Sequence, residues 1–470
     1  MDYLFVIIVC LAFLSTTISY EETFENSTNL CDRCKCITSS REFVLDCQNK
    51  GFRHMIANWP EHNATLIATF SNNNISHLEI LPDSDYVRDV ILSRCGIETL
   101  GNGAFKAVKN LKYLDLSYNL LTTEEIAPEK FKGPYNDTVY EPLLIEHLDL
   151  SYNRIHSLPH NIFEHLTTSL TELNLAGNKL KILDHQTQVA LSGLTNLKGL
   201  NLANNDLTEL VGDAVKNLQK LRTLNLAMNK LDFVPETLTL LSDSLQVLYL
   251  DNNLIYELTD ESFLGVKGIR MLSLTNLARL QYVNANAFSP LENLKILFLS
   301  DNPSLTTIDR DAFRENQVLE ELYLHNNSLK DLHYNLTNWP TLRVFSLNDN
   351  DLICDCDLYN ISQHLRPQIK QNGDGPYCIN PMTDASMMIY RLTEEACDYE
   401  AEYNNSSHVI NKHFRVLKLA FLTISAVFIF TGLIAVTIAF LRYRRYKMNR
   451  NYPFTTQVTY NPLRSSIISN

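Results

Sequence analysis

Seven stretches of eleven residues repeat one pattern along the chain, and no other feature restricts its fold as severely. They are LKYLDLSYNLL (111–121), IEHLDLSYNRI (145–155), LTELNLAGNKL (170–180), LKGLNLANNDL (197–207), LRTLNLAMNKL (221–231), LQVLYLDNNLI (245–255) and LEELYLHNNSL (319–329). Each obeys L-x-x-L-x-L-x-x-N-x-L, with Leu or Ile at the outer positions. Looser copies at 65–75, 87–97, 269–277, 294–302 and 342–352 bring the total to twelve, most of them 23 to 27 residues apart. A period of this length means that one supersecondary unit stacks on copies of itself. The alternating leucines specify a short strand with one buried face, and successive strands build a parallel sheet along the inside of a curved solenoid. The Asn turns the chain away from that sheet, its side chain bonding backbone groups that the turn would otherwise bury unsatisfied. Phe105, Phe131, Phe163, Phe263, Phe288 and Phe313 recur ten to twelve residues past the Asn position and predict a packed spine on the outer side.

These motifs resemble the extracellular leucine-rich repeat family over roughly 65–353. The resemblance implies an α/β solenoid, a curved horseshoe with a parallel concave sheet. Aligning VRDVILSRCGI (87–97) on its neighbours puts Cys95 where the Asn belongs, and Cys is the residue that the family uses there instead. A thiol at that place is buried and donates weakly to the same backbone groups, so Cys95 reads as structural. Leu277, at the same place in its repeat, has no hydrogen-bonding group and predicts an irregularity over Thr275–Gln281.

An open-ended solenoid exposes apolar surface at both ends and needs covers. Cys31, Cys34, Cys36 and Cys47 lie just before the first repeat, and Cys354, Cys356, Cys378 and Cys397 follow the last. Zinc competes for such spacings, but disulfides suit a secreted chain, and four cysteines alone leave three connectivities open. Similarity to the family's cysteine-rich caps implies Cys31–Cys36 and Cys34–Cys47 at one end, with Cys354–Cys378 and Cys356–Cys397 at the other.

The ends of the chain support that compartment. LFVIIVCLAFL (4–14), followed by small residues Thr17 and Ser19, reads as a secretory signal over 1–19, although no Lys or Arg precedes the apolar run. Residues 419–441 are 23 without a charge, about 35 Å as a helix, and so are expected to span a membrane. Arg442, Arg444, Arg445, Lys447 and Arg450 follow immediately and place the C-terminus in the cytoplasm. The expected organisation is signal peptide 1–19, linker and cap 20–64, repeats 65–353, cap 354–397, juxtamembrane linker 398–418, transmembrane helix 419–441 and cytoplasmic tail 442–470. The tail carries six basic and no acidic residues, so −13 for the whole chain less +6 leaves −19 for the remainder. That balance argues against nucleic acid as the ligand. Nine Asn-x-Ser/Thr sequons, at Asn26, Asn63, Asn74, Asn136, Asn326, Asn335, Asn360, Asn404 and Asn405, all precede the span and predict a glycosylated ectodomain. In the tail, Tyr460 and Leu463 form a tyrosine-based sorting motif, YNPL.

Two columns of residues face outward between the strand leucines. One runs Ile91, Asp115, Asp149, Asn174, Asn201, Asn225, Tyr249, Ser273, Phe298, Tyr323 and Ser346; the other runs Asp89, Tyr113, His147, Glu172, Gly199, Thr223, Val247, Met271, Ile296, Glu321 and Val344. Both are polar in the first half and apolar or aromatic in the second. Hydrophobic groups on the solvated side of a sheet mark an interaction site, which selects Val247, Tyr249, Met271, Ile296, Phe298, Tyr323 and Val344. Strand propensity alone would also favour such residues. The 34-residue gap between Asn119 and Asn153 predicts that 122–144 bulges out as a glycosylated loop.

No H-E-x-x-H, G-x-S-x-G or P-loop occurs, so an enzyme is not expected, and no cofactor or metal is implied. The overall pattern resembles the single-pass adhesion and recognition type of leucine-rich repeat protein represented by Capricious and Tartan. That resemblance implies a plasma-membrane protein that binds an extracellular or cell-surface protein, homophilically or heterophilically. The alternative is a ligand-sensing co-receptor of Toll-like ectodomain type that signals through a partner chain.

Overall fold

The structure, a computed structural model, describes residues 30–314, 316–367, 375–398, 418, 424–425 and 428–447. They fall in two units, Met1–Tyr399 and Glu400–Asn470. The expected signal peptide, the sequons at Asn26, Asn404 and Asn405, and Tyr460 and Leu463 lie outside the described residues.

The first unit is built on one sheet of fourteen strands. Strand Lys35–Thr38 pairs antiparallel with Glu42–Asp46. From there every strand is parallel to the one before it, from Thr65–Thr69 and Val87–Ile91 through to Val344–Ser346, one strand for each of the twelve repeats. Most repeat strands are only three residues long, with the middle side chain buried and its neighbours half-buried. That alternation is the two-residue period of an extended chain with one face packed.

Every repeat turns at the same place by the same device. The residue before the Asn position adopts a left-handed conformation, with φ between 52° and 66° at Asn72, Arg94, Tyr118, Tyr152, Gly177, Asn204, Met228, Asn252, Asn276, Asp301, Asn326 and Asp349. For a non-glycine residue this costs about 1–2 kcal/mol. The conformation persists because both sides of the turn are fastened. Tyr118 donates its amide to Ser151 one turn ahead (2.9 Å), as Tyr152 does to Ala176 (2.7 Å) and Met228 to Asp251 (2.8 Å). The Asn fastens it from behind. Asn119 Nδ2 donates to the carbonyls of Leu92, Leu116 and Ser117, while its Oδ1 accepts from the amides of Cys95 and Ile97 at 3.0 Å each.

Cys95 takes the same place with a sparser set of bonds. Its Sγ donates to Phe70 O at 3.1 Å, and the residue is 0% exposed and unpaired. Burial pushes the thiol above its ordinary range, so it stays neutral and remains a donor. The native protein is expected to resist a bulky thiol reagent at Cys95, and Cys95→Asn to shift stability by less than about 1 kcal/mol; mass spectrometry after labelling and a denaturant titration check the two.

Around Leu277 the strands keep their register, but an extra turn follows, Leu280 N donating to Leu277 O at 3.0 Å, as Leu305 N does to Asn302 O in the next repeat. Asn276 keeps the left-handed φ of 55°, Leu277 is 0% exposed, and the strand pairings on both sides stay in register. The following repeat supplies its usual fastening, Asn302 Oδ1 accepting from Leu277 N at 2.7 Å and Asn302 Nδ2 donating to Leu274 O.

The phenylalanines form stacks rather than one continuous spine. Phe105 packs on Phe131 (5.7 Å between ring centres), and Phe263, Phe288 and Phe313 pack in turn at 6.1 and 4.7 Å. Between them the outer side is made by helices His185–Ser192 and Gly212–Val215 and the 3-10 turn Glu236–Leu241, with Leu191, Val215 and Leu238 buried. The insert 122–144 bulges less than its length suggests. Ile126 and Phe131 are fully buried, Lys130 Nζ donates to Leu100 O at 2.7 Å, and the continuous exposed run is 135–142, around the Tyr135–Tyr140 bridge.

Disulfides Cys31–Cys36 and Cys34–Cys47 tie helix Leu30–Arg33 and the first hairpin over the leading end. At the trailing end Cys354–Cys378 and Cys356–Cys397 hold helix Cys356–His364, which Asp355 caps by accepting from Leu358 N at 2.8 Å.

In the second unit helix is described at 418, 424–425 and 428–447. Among the described residues no helix is long and apolar enough to cross a membrane. The uncharged part of the described stretch, 428–441, covers about 21 Å against roughly 30 Å of hydrocarbon. The expected span 419–441 thus lies partly outside the described residues.

Candidate functional site

The candidate site is the sheet face that the core leaves uncovered. Strand register brings the two outward columns together. Asp89, Tyr113, His147, Glu172, Gly199, Thr223, Val247, Met271, Ile296, Glu321 and Val344 stand side by side, as do their partners from Ile91 to Ser346. Three-residue strands with one buried leucine impose this, since a slip of one residue would expose every leucine.

All seven residues of the apolar patch sit half-buried on that face. Val247, Met271 and Ile296 are consecutive in one column. Phe298 and Tyr323 stack with ring centres 4.6 Å apart at 13°, and Tyr323 Oη donates to Glu321 Oε2 at 3.0 Å. Burial, aided by Glu321, pushes the Tyr323 phenol above its usual range. Ser273, between Tyr249 and Phe298, is instead turned into a local network, donating with Thr275 to Asp251 Oδ1 at 2.5 and 2.7 Å.

The polar half has its own structure. Burial pushes the Asp115 carboxyl upward, and neighbouring Asp149 adds to that, against hydrogen bonds from Ser117. Tyr113 is raised by burial and by Asp115, Asp149 and Asp89 around it. A depression of about 260 Å³ opens here, reaching from Tyr113 and His147 across Gly199 to Tyr249. The outward columns are legible in the sequence and this depression is not; the one signal for it is the single glycine in either column. A cleft of about 320 Å³ beside Phe313, Tyr334 and Trp339 lies at the C-terminal cap, with sequon residue Asn335 in its lining. The sheet face is the more extended surface.

Of the described sequons, Asn63, Asn74, Asn136, Asn326 and Asn335 are exposed, and Asn360 is half-buried. Asn326 Nδ2 donates to Asp301 Oδ1 at 2.7 Å. Among the described residues no group of three or more His, Cys, Asp or Glu side chains could hold a metal ion.

Comparison with known proteins agrees with the repeat architecture. The profile of the family described as "Leucine rich repeat" matches residues 85–134, 144–198, 185–231, 243–303 and 292–352, more than half of the chain. Tsukushi of Gallus gallus is 30% identical over 258 residues, which are 51% of this chain and 68% of that protein. Lumican of Gallus gallus is 30% identical over 278 residues, 57% of this chain and 73% of that protein. Among solved structures, a TLR13–ssRNA13 complex is similar at 24% identity with a TM-score of 0.47, covering 71% of this chain and 57% of that one.

Proposed function

We propose, from the premise that the chain belongs to the leucine-rich repeat family, that its repeats form the ectodomain of a membrane-anchored protein which binds another extracellular protein on the second half of the sheet face. The observation that carries this reading is the run of Val247, Tyr249, Met271, Ile296, Phe298, Tyr323 and Val344 on adjacent strands, apolar groups held half-exposed on the side of the sheet away from the core. Twelve strands at ~4.8 Å give a face on the order of 50 Å long, enough for a footprint of ~800 Å².

Four disulfides and the one-sided sequons support an oxidising, secretory compartment. The uncharged run 419–441 with its basic flank supports a single-pass anchor, and YNPL (460–463) a sorting signal in the tail. Within this reading Asn26, Asn63, Asn74, Asn136, Asn326, Asn335, Asn360, Asn404 and Asn405 are the glycan acceptors. Adhesion or cell–cell recognition, of the Capricious and Tartan type, is the role that such an anchored binding surface serves.

Phe298→Asp and Tyr323→Asp are each expected to weaken partner binding by more than about 30-fold, the loss of a central aromatic anchor, while surface expression stays at the wild-type level. Cells that express the chain should cluster with one another or with partner cells, and still do so after deletion of residues 446–470. Unaltered clustering by both aspartate variants removes the patch from the binding face. Clustering lost only on tail deletion points to a co-receptor instead.

A further inference from the structure

Gly199 is the one glycine in the two outward columns, and it interrupts a row of side chains at the middle of the face. A Cβ at 199 would collide with the Glu172 carboxylate, which lies across the bare backbone. Its neighbour Asp149 is held in place, accepting from Ser151 N at 2.8 Å and Asn174 Nδ2 at 2.9 Å. Among the described residues no side chain or amide anchors Glu172 in this way, and half-burial pushes its carboxyl above the usual range against the pull of His147 and Lys198.

Acidic side chains predominate around the depression, with Arg88 paired to Asp89 at 2.8 Å and Lys198 acting on Glu172 from the side. Asp89, Asp115, Asp149 and Glu172 stand in the columns leading to it, and neither column contains a Lys or Arg. At about 260 Å³ the depression is smaller than the 300–1,000 Å³ usual for small-molecule sites, so it suits one long side chain rather than a free ligand. Tyr249 lines it and also belongs to the apolar patch, which makes the two surfaces continuous.

We propose that the Gly199 depression is the socket for an arginine side chain of the same protein that covers the apolar patch, a deepening that rests on the sheet-face reading above. Arginine fits better than lysine. A planar guanidinium lies against the Tyr249 or Tyr113 ring and meets the Glu172 carboxylate with two parallel N–H bonds, which a compact ammonium cannot do. The strand of Gly199 is two strands from that of Val247, about 10 Å, so the partner carries its arginine at that distance from an apolar group.

The test uses the full chain in detergent and fluorescent end-blocked peptides in which arginine and phenylalanine are separated by three serines, so that both side chains leave the same side of an extended peptide about 13 Å apart, within reach of a flexible arginine. A second peptide replaces arginine by neutral citrulline. The arginine peptide is expected to bind at least 10-fold more tightly to the wild-type chain, the difference to vanish in Glu172→Gln and Gly199→Val, and Glu172→Lys to prefer a peptide with glutamate in place of arginine. Phe298→Asp weakens both peptides alike and reports on the patch separately. Equal affinity for the arginine and citrulline peptides, or no binding of either, overturns the socket; equal affinity that Phe298→Asp still lowers overturns it while leaving the patch in place.

Discussion

Phe288→Ala is expected to lower the unfolding free energy by about 3–5 kcal/mol, the range for emptying a fully packed aromatic site. Phe288 is 0% exposed and lies between two rings, Phe263 on one side and Phe313 on the other. A solenoid turn touches only the turns before and after it. Truncation therefore opens a void in two interfaces at once, with no distant element to close it. Phe288→Leu keeps most of the volume and should lose less than half as much. Denaturant midpoints of the two variants check this; a loss below about 1 kcal/mol for the alanine variant would show that the outer stack contributes less than the burial of one side chain.

The second large effect concerns the turns. Asn229 donates to the carbonyls of Leu202, Leu226 and Ala227 and accepts from the amides of Asn205 and Leu207. Replacing it by leucine retains the approximate volume and removes all five bonds from a buried site. Each backbone group so stranded costs about 1–3 kcal/mol, and local relaxation recovers only part, giving an expected loss of about 3–5 kcal/mol. Hydrogen exchange should accelerate at the Asn205 and Leu207 amides before it does elsewhere. Unchanged protection at both amides would mean that the turn backbone holds without its side-chain fastener.

Leu277 shows why that outcome depends on context, and where reading the sequence succeeds. The repeat spacing made the sheet, its register and the two outward columns legible, because a leucine period of this kind has one low-energy solution. It did not reveal that a turn is held from both neighbours, so the leucine at 277 looked disruptive while Asn302 in the next repeat already bonds its amide. The insert is a related case, an exposed loop only over 135–142. Its length signalled a loop, yet Phe131 falls at the spine position and draws the segment onto the core. The apolar patch followed from side-chain identity alone, whereas the Gly199 depression depends on where the Glu172 side chain comes to rest, which no spacing encodes. Strand length also mattered, since three-residue strands leave each outward residue beside just two others of its column.

The two disulfides at the trailing end have a mechanical consequence. When tension is applied between Cys397 and a load held on the sheet, it enters the array through the C-terminal cap, and turns joined only to their neighbours peel one at a time. The covalent loops 354–378 and 356–397 withhold their slack from the extending chain, so the first stage of yielding is short and stiff, and reduction of those bonds should lengthen it.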